Sequence, residues 1–484
     1  MGIRGTDLVI MVLAMGGGLM AQAGDLRDDL WFFADFDRPM GVAQYQLMQL
    51  PPEERELVGP AVVALQSAVV GAADLSCGRA NSHESLMPGG DFVCKVLGLA
   101  CAFALPSGSM PDPREELRAV ARELRADLVR AAADTKRPFG EGVRITMPSA
   151  GTYYGLWPDD WLFPNKLVPE LLSDAEAKAL FRFLTDNLAD LPQLPDRIEP
   201  SGHCVFQPGA ENRPHGKRMP AHLPAAWLRL VRHLRDRTGD TALVERWRGV
   251  IARSIDQLRF EDGLPSLAED QVGFGFFDTV ALQGQDLMCS VVLWKAFADA
   301  EPLFGGELGA KCRGLAEGIR ANIVRLRASE GWYLSDSLGC RQFSPWSNGI
   351  LYSSGLVGEA DRRAIRERIW ADRGKLVKFG MVRHAPEVWR KMKPVWAGGE
   401  GSYMNGGYWS VGTAYAFAAL YDRDPAYAAA LAREMLENLR KTDYAEWVNA
   451  ERSQQGAHKF LMGLALPLAA IEAVLGGSDL ISYF

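Results

Sequence analysis

Nothing in the 484 residues forms a zinc or redox cysteine motif. Cys77, Cys94, Cys101, Cys204, Cys289, Cys312 and Cys340 contain no CxxC pair and no metal-ligand spacing. Their number is odd, and most stand among apolar or small residues, as Cys101 does in Leu99-Ala100-Cys101-Ala102-Phe103. That environment suits buried free thiols acting as small hydrophobes. Basic clustering is also missing: Lys and Arg are scattered and the formal net charge is −7, which argues against a nucleic-acid groove. Beyond the N-terminus no run is long and charge-free enough to cross a bilayer. Period-two alternation is scarce, no fixed-period repeat is visible, and no Pro/Gly/Ser-rich linker of convincing length follows residue 60.

What is present is helix after helix. In Thr241 to Leu258, the residues Leu243, Val244, Trp247, Val250, Ile251, Ile255 and Leu258 fall on one stripe, with Asp240 as an N-cap. Trp227, Leu230, Val231 and Leu234 repeat the spacing before the Thr238-Gly239-Asp240 break, which makes an α-hairpin. Asp424-Pro425 divides a second hairpin within 411–439. Further helices are expected near 58–73, 92–104, 113–133, 174–188, 283–299, 307–326, 360–371 and 457–475. About twelve helices, with long connections between alternate pairs, predict an all-α fold, an (α/α)6 toroid of alternating inner and outer helices. Residues 61–484 would form that catalytic domain, 24–60 an N-terminal extension, and 1–23 a signal peptide. The signal reading rests on Arg4, the apolar run Leu8 to Met20, and the small-x-small site Ala21-Gln22-Ala23. It implies export to a periplasmic or extracellular location.

The long connections carry the chemistry. Trp157-Pro158-Asp159-Asp160-Trp161, Phe274-Gly275-Phe276-Phe277-Asp278, Phe343-Ser344-Pro345-Trp346-Ser347-Asn348, Asn405-Gly406-Gly407-Tyr408-Trp409 and Glu446-Trp447-Val448-Asn449 each combine aromatic rings with polar groups, most with Gly or Pro and a carboxylate. Rings can stack on pyranose faces, and two carboxylates can move the protons of glycoside cleavage. Asp278 is the candidate acid because Phe274, Phe276, Phe277 and Val280 surround it with apolar material; an N-cap role for the following helix competes. Glu446, between Tyr444 and Trp447, is the candidate base, with Glu451 and Glu400 as rivals. Trp157, Asp160, Trp346, Asn348, Glu400, Tyr408 and Trp409 are the candidate substrate contacts. Asp159 and Asp160 are neighbours in sequence, so one of them is expected to cap or pair structurally.

By the order of these motifs, residues 145–475 resemble the six-hairpin glycosidase superfamily, which includes glucoamylase, trehalase, N-glycan-trimming glucosidases and α-rhamnosidase. The Trp157 segment resembles the superfamily's Trp-x-Arg-Asp loop, with Asp160 as the sugar-holding carboxylate and Asp159 in place of the arginine. The resemblance implies Asp278 as general acid, Glu446 as general base, and inversion at a terminal sugar of an oligosaccharide, polysaccharide end or glycoconjugate. It implies no metal and no organic cofactor. Two other chemistries occur on the same toroid. An epimerase would use His215 or His222 facing His384 or His458; a uronate lyase would use a Tyr/His pair with Arg213, Lys217 and Arg218 for the substrate carboxylate. A non-catalytic sugar-binding relic is the reading outside enzymes.

Overall fold

The computed structural model describes residues 112–140, 142–393 and 399–484. The expected signal segment, the 24–60 extension and the helices near 58–73 and 92–104 lie outside the described residues. The first helices are α1 (Pro113–Thr135), α2 (Pro158–Leu167), α3 (Asp174–Leu188) and α4 (Leu223–Thr238). Then come α5 (Thr241–Asp256), α6 (Leu287–Phe304), α7 (Gly306–Asn322) and α8 (Pro345–Tyr352). The last are α9 (Glu359–Leu376), α10 (Ser410–Arg423), α11 (Pro425–Lys441) and α12 (Met462–Gly476).

Even-numbered helices form a closed inner ring. Each packs on the next, α2 on α4, then α6, α8, α10 and α12, and α12 returns to α2. Odd-numbered helices lie outside: α5 packs on α4, α7 on α6, α9 on α8 and α10, α11 on α10, and α1 on α12 and α11. This is the (α/α)6 toroid. The reason is legible in burial. Outer α5 buries one stripe, Val244, Trp247, Val250, Ile251, Ser254 and Ile255, whereas inner α8 is buried at every position from Pro345 to Tyr352. A helix with one apolar face seeks a neighbour, and one apolar all round must be enclosed.

Connections sort by side. Inner-to-outer turns are mostly short: Gly239-Asp240 joins α4 to α5, Gly305 alone joins α6 to α7, and Asp424 alone joins α10 to α11. Asp240 and Asp424 cap the helices that follow, accepting from Leu243 N at 3.0 Å and Tyr427 N at 2.9 Å. Outer-to-inner connections are long, spanning 136–157, 189–222, 257–286, 323–344, 377–409 and 442–461. All six therefore meet at the end of the ring where the inner helices begin. They hold every small sheet of the described residues, including the antiparallel set Val377–Lys378, Met381–Arg383 and Tyr408–Trp409. Among the described residues no helix is long and apolar enough to cross a membrane.

Two inner helices depart from the sequence expectation. Residues 158–167 and 345–352, read above as loops, are α2 and α8. Both are short, start at a proline and are buried almost all round, so neither has the polar face that makes a helical period visible. The ring is complete within 113–476. Cys204, Cys289, Cys312 and Cys340 are free thiols, the last three buried, as expected.

The inner ring is tight where α8 crosses α10. A Cβ added at Gly349 would stand 2.2 Å from the Tyr415 carbonyl oxygen, which is backbone and cannot rotate aside. Gly349→Ala is expected to destabilise the protein by about 2–3 kcal/mol through overpacking, read from urea denaturation. A loss below about 0.5 kcal/mol would show that the two helices can part freely.

Candidate active site

Asp278 is placed by a 3-10 turn, Gly275–Phe277, closed by Phe277 N–H to Phe274 O at 2.8 Å. The turn drives Phe277 into the core against His384 and Trp389, and leaves Phe276 half-buried. Asp278 itself is buried, and its Oδ2 lies 2.6 Å from His215 Nδ1. Helix α6 starts only at Leu287, where Asp286 caps it by accepting from Cys289 N at 2.6 Å. The competing N-cap role thus falls to Asp286, and Asp278 stands upstream of the helix.

Glu446 comes from the 442–461 connection. Its backbone N–H bonds Ala457 O at 2.8 Å, and its carboxylate accepts from the Tyr153 hydroxyl, 2.9 and 3.0 Å from its two oxygens, and from Ala457 N at 3.3 Å. Burial pushes its pKa up to about 7; Tyr153 and the Ala457 amide oppose that shift, and the Asp278 charge adds to it. Tyr403 stands near both: burial, then Asp278 and Glu446, raise its hydroxyl well above the usual phenol range. Its φ of +42° is a left-handed backbone uncommon for an aromatic residue, the kind of strain that collects at functional sites.

A second pair of carboxylates sits beside these. Asp159 is bound to the buried guanidinium of Arg229 from α4, so Asp159 is the structural member of the 159–160 pair. Asp160 is the other: its Oδ1 is buried with no hydrogen-bond partner among the described residues. Burial, then Asp159, Glu446 and Asp196, push Asp160 well above the usual carboxylate range. Asp196 accepts from Trp157 Nε1 at 3.0 Å, and burial raises it to about 6 against the pull of Arg197. The Arg197 guanidinium stacks 5.0 Å from the Trp157 ring centroid.

The aromatic lining differs from the sequence expectation. Trp157 is half-buried at the head of α2, edge-on to Tyr153 at 5.4 Å. Tyr403 and Trp447, 6.0 Å apart, and Phe276, 6.4 Å from Phe460, are further partly exposed rings of this end. Trp346, by contrast, is fully buried, stacked on His384 at 3.5 Å and bonded through Nε1 to Val382 O. Asn348 is also fully buried and spends its amide on Tyr333 and Ser344 backbone groups. Trp409 is enclosed between Trp346, Phe276 and Tyr403, and Tyr408 is buried in the three-stranded sheet near Phe379. Trp346, Asn348, Tyr408 and Trp409, expected at the substrate, are thus buried side chains. Glu400 is exposed in the 399–401 turn. Glu451 is exposed as well. Tyr153, Tyr403 and Asp196 were not foreseen; no local pattern marks them, since each matters only through what folding sets beside it.

The histidines separate. His222 donates through Nδ1 to Gly273 O at 3.1 Å, and burial lowers its pKa to about 4. His384 is locked in the core between Trp346 and Phe277, and His458 is exposed near Asp443. Arg213, Lys217 and Arg218 are exposed on the loop that carries His215. Among the described residues no three His, Cys, Asp or Glu side chains gather as metal ligands would.

Comparison with solved structures agrees on architecture. Cellobiose 2-epimerase from Spirochaeta thermophila superposes with a TM-score of 0.50 at 12% identity, over 76% of this chain and 100% of that one. Mannosylglycerate hydrolase from Thermus thermophilus gives 0.49 at 14% identity, over 71% and 99%, and a rhamnosidase from Klebsiella oxytoca gives 0.49 at 13%, over 77% and 66%. At 12% identity the likeness to the epimerase concerns the fold alone. No protein-family model and no curated protein sequence matches the chain.

Burial of Glu446 has a stability consequence of definite sign. Its folded pKa of about 7 lies above the ordinary 4.5, so the folded state favours the protonated form. That contribution is complete below about pH 4.5 and is lost as pH rises through about 7. Glu446→Gln, which cannot ionise, should gain on wild type by up to about 3 kcal/mol between pH 5 and pH 8 in urea melts. A difference that stays constant with pH would remove burial as the cause of the shift.

Proposed function

We propose that the chain is a carbohydrate-active enzyme, and within that class an inverting glycoside hydrolase acting on a terminal sugar, with Asp278 as general acid and Glu446 as general base. The observation that carries this is the pairing itself. Two buried carboxylates come from separate connections at the end of the ring where the inner helices begin, the Asp278 charge adds to the raised pKa of Glu446, and half-exposed Trp157, Phe276, Tyr403 and Trp447 lie at the same end. Inversion needs one carboxylic acid at the leaving oxygen and one carboxylate holding water on the opposite face of the ring.

In the step, Glu446 takes a proton from water as its oxygen bonds the anomeric carbon. The glycosidic C–O bond breaks, and its electron pair takes up the proton that Asp278 supplies. Tyr153 and the Ala457 amide both donate to Glu446, which favours the ionised form a base requires. His215 orients Asp278 through the 2.6 Å contact. Asp160, with an acceptor oxygen unused, is suited to hold a sugar hydroxyl, and Trp157 to stack on the ring. The chain is also proposed to be exported, on the strength of Arg4, the Leu8–Met20 run and Ala21-Gln22-Ala23. N-terminal sequencing of the secreted product should begin at Gly24.

The test is product analysis on a panel of defined oligosaccharides. Wild type should release a monosaccharide of inverted anomeric configuration. Asp278→Asn and Glu446→Gln should each lose orders of magnitude in kcat while remaining folded; near-normal turnover by either variant removes that residue from its role. An isomerised or an unsaturated product would replace the hydrolase with an epimerase or a lyase.

Because the base must be ionised, kcat/KM should fall as pH drops below about 7, following the Glu446 pKa. Tyr153→Phe removes a donor to the carboxylate, so its acidic limb should move to higher pH. An unshifted limb would mean that another group sets it.

A further inference from the structure

Charges crowd the two carboxylates: Glu446 and Asp196 add to the burden on Asp160, and Asp278 adds to that on Asp196. On the Asp278 side the 390–393 segment pairs with the backbone that carries the acid: Lys393 N–H to Thr279 O at 2.9 Å, Ala281 N–H to Lys391 O at 3.1 Å, and Val280 bridged to Met392. The His215 loop reaches the same strip upstream, Lys217 N–H to Asp270 O at 2.9 Å. Two basic segments thus border the strip that bears Asp278, in a chain whose net charge is −7.

Lys393 is the distinctive member. It is half-buried, its Nζ donates to the Gln271 carbonyl at 3.2 Å, and Asp278 and Asp270 act on it as more distant charges. Asp270 is taken by Arg218 at 3.0 Å, and no carboxylate of the described residues makes an ion pair with Lys393. Burial pulls its pKa down to about 8, so removal from water is not offset by a close anion. An ammonium has three protons to donate, and one carbonyl uses one of them.

We propose that Lys393 is a specificity-determining residue that receives an oxyanion carried by the leaving group, so that the substrate is a sugar joined to an acidic aglycone. This rests on Asp278 being the general acid, because the acid touches the leaving oxygen and its neighbour Lys393 then stands on the leaving-group side. A close ion pair in a partly desolvated position discriminates strongly against the neutral analogue, since the neutral compound leaves the ammonium unpaired. The exposed Arg390 and Lys391 nearby would add attraction at longer range without fixing position.

The test uses lactate and its neutral counterpart propane-1,2-diol, with inorganic phosphate as a second oxyanion, each titrated by ligand-observed NMR at low ionic strength. Wild type, Lys393→Met and the exposed control Lys391→Met are compared after circular dichroism confirms their fold. Lactate or phosphate should bind wild type, weaken at least 10-fold in Lys393→Met and change less than 2-fold in Lys391→Met, with the diol alike in all three. Preference for lactate identifies a carboxylate aglycone, and preference for phosphate a phosphate ester. Equal loss in both variants would reduce the effect to surface field, and no binding to wild type, or undiminished binding to Lys393→Met, would overturn the proposal. The readout needs no turnover, so a failed hydrolase reading, seen as silence on the oligosaccharide panel, is told apart from a failed oxyanion site.

Discussion

Closure of the inner ring, where α12 lies against α2, is the contact on which the site depends. The chain's last long connection there meets its first: Ala150 N–H bonds His458 O at 3.1 Å, and Leu461 N–H bonds Pro148 O at 2.9 Å. The Tyr153 hydroxyl crosses the same seam to both oxygens of Glu446. Without closure Glu446 would be an exposed loop carboxylate of ordinary acidity. With it, burial and the neighbouring charges make a group poised near neutrality.

Carboxylates are costly to bury, and this end of the ring buries four, Asp159, Asp196, Asp278 and Glu446, with Asp160 partly buried beside them. Arg229 neutralises one from beneath, Arg197 and Trp157 hold a second, His215 a third, and Tyr153 a fourth. Asp160 retains an oxygen with no hydrogen-bond partner among the described residues. Burial of this kind lowers stability, and the raised pKa of Glu446 is one expression of it. The compensation is the aromatic and aliphatic core of the inner ring, in which Trp346, Trp409 and His384 pack as one block under the Phe276–Asp278 turn.

That block explains why aromatic residues were the least secure guide. Trp346 and Trp409 occur in Gly- and Pro-containing segments just as Trp157 does, and sequence context alone does not separate them. The difference is position in the ring. Trp157 precedes the first turn of α2 and stays half-exposed, whereas Trp346 lies within α8, enclosed by α10 and the sheet beside it. A large ring is the residue a core uses first, and only packing shows whether it faces a core or an opening.

Local chemistry was enough for the elements that carry it in their own residues. The stripes of α4 and α5, the Asp240 and Asp424 caps and the alternation of helices with long connections are written in neighbouring positions, because helix period and capping act over a few residues. They specify an α/α architecture and mark Asp278, Glu446 and Asp160 as carboxylates in apolar company. Tertiary structure alone decided that α2 and α8 are helices, since enclosure on every side erases the polar face that periodicity requires. It also assigned Asp159 to Arg229 and His215 to Asp278, placed Tyr153 on Glu446, and sent Trp346 and Asn348 into the core. Those contacts join residues tens to hundreds of positions apart, and no local pattern encodes a distance that exists only after the ring has closed.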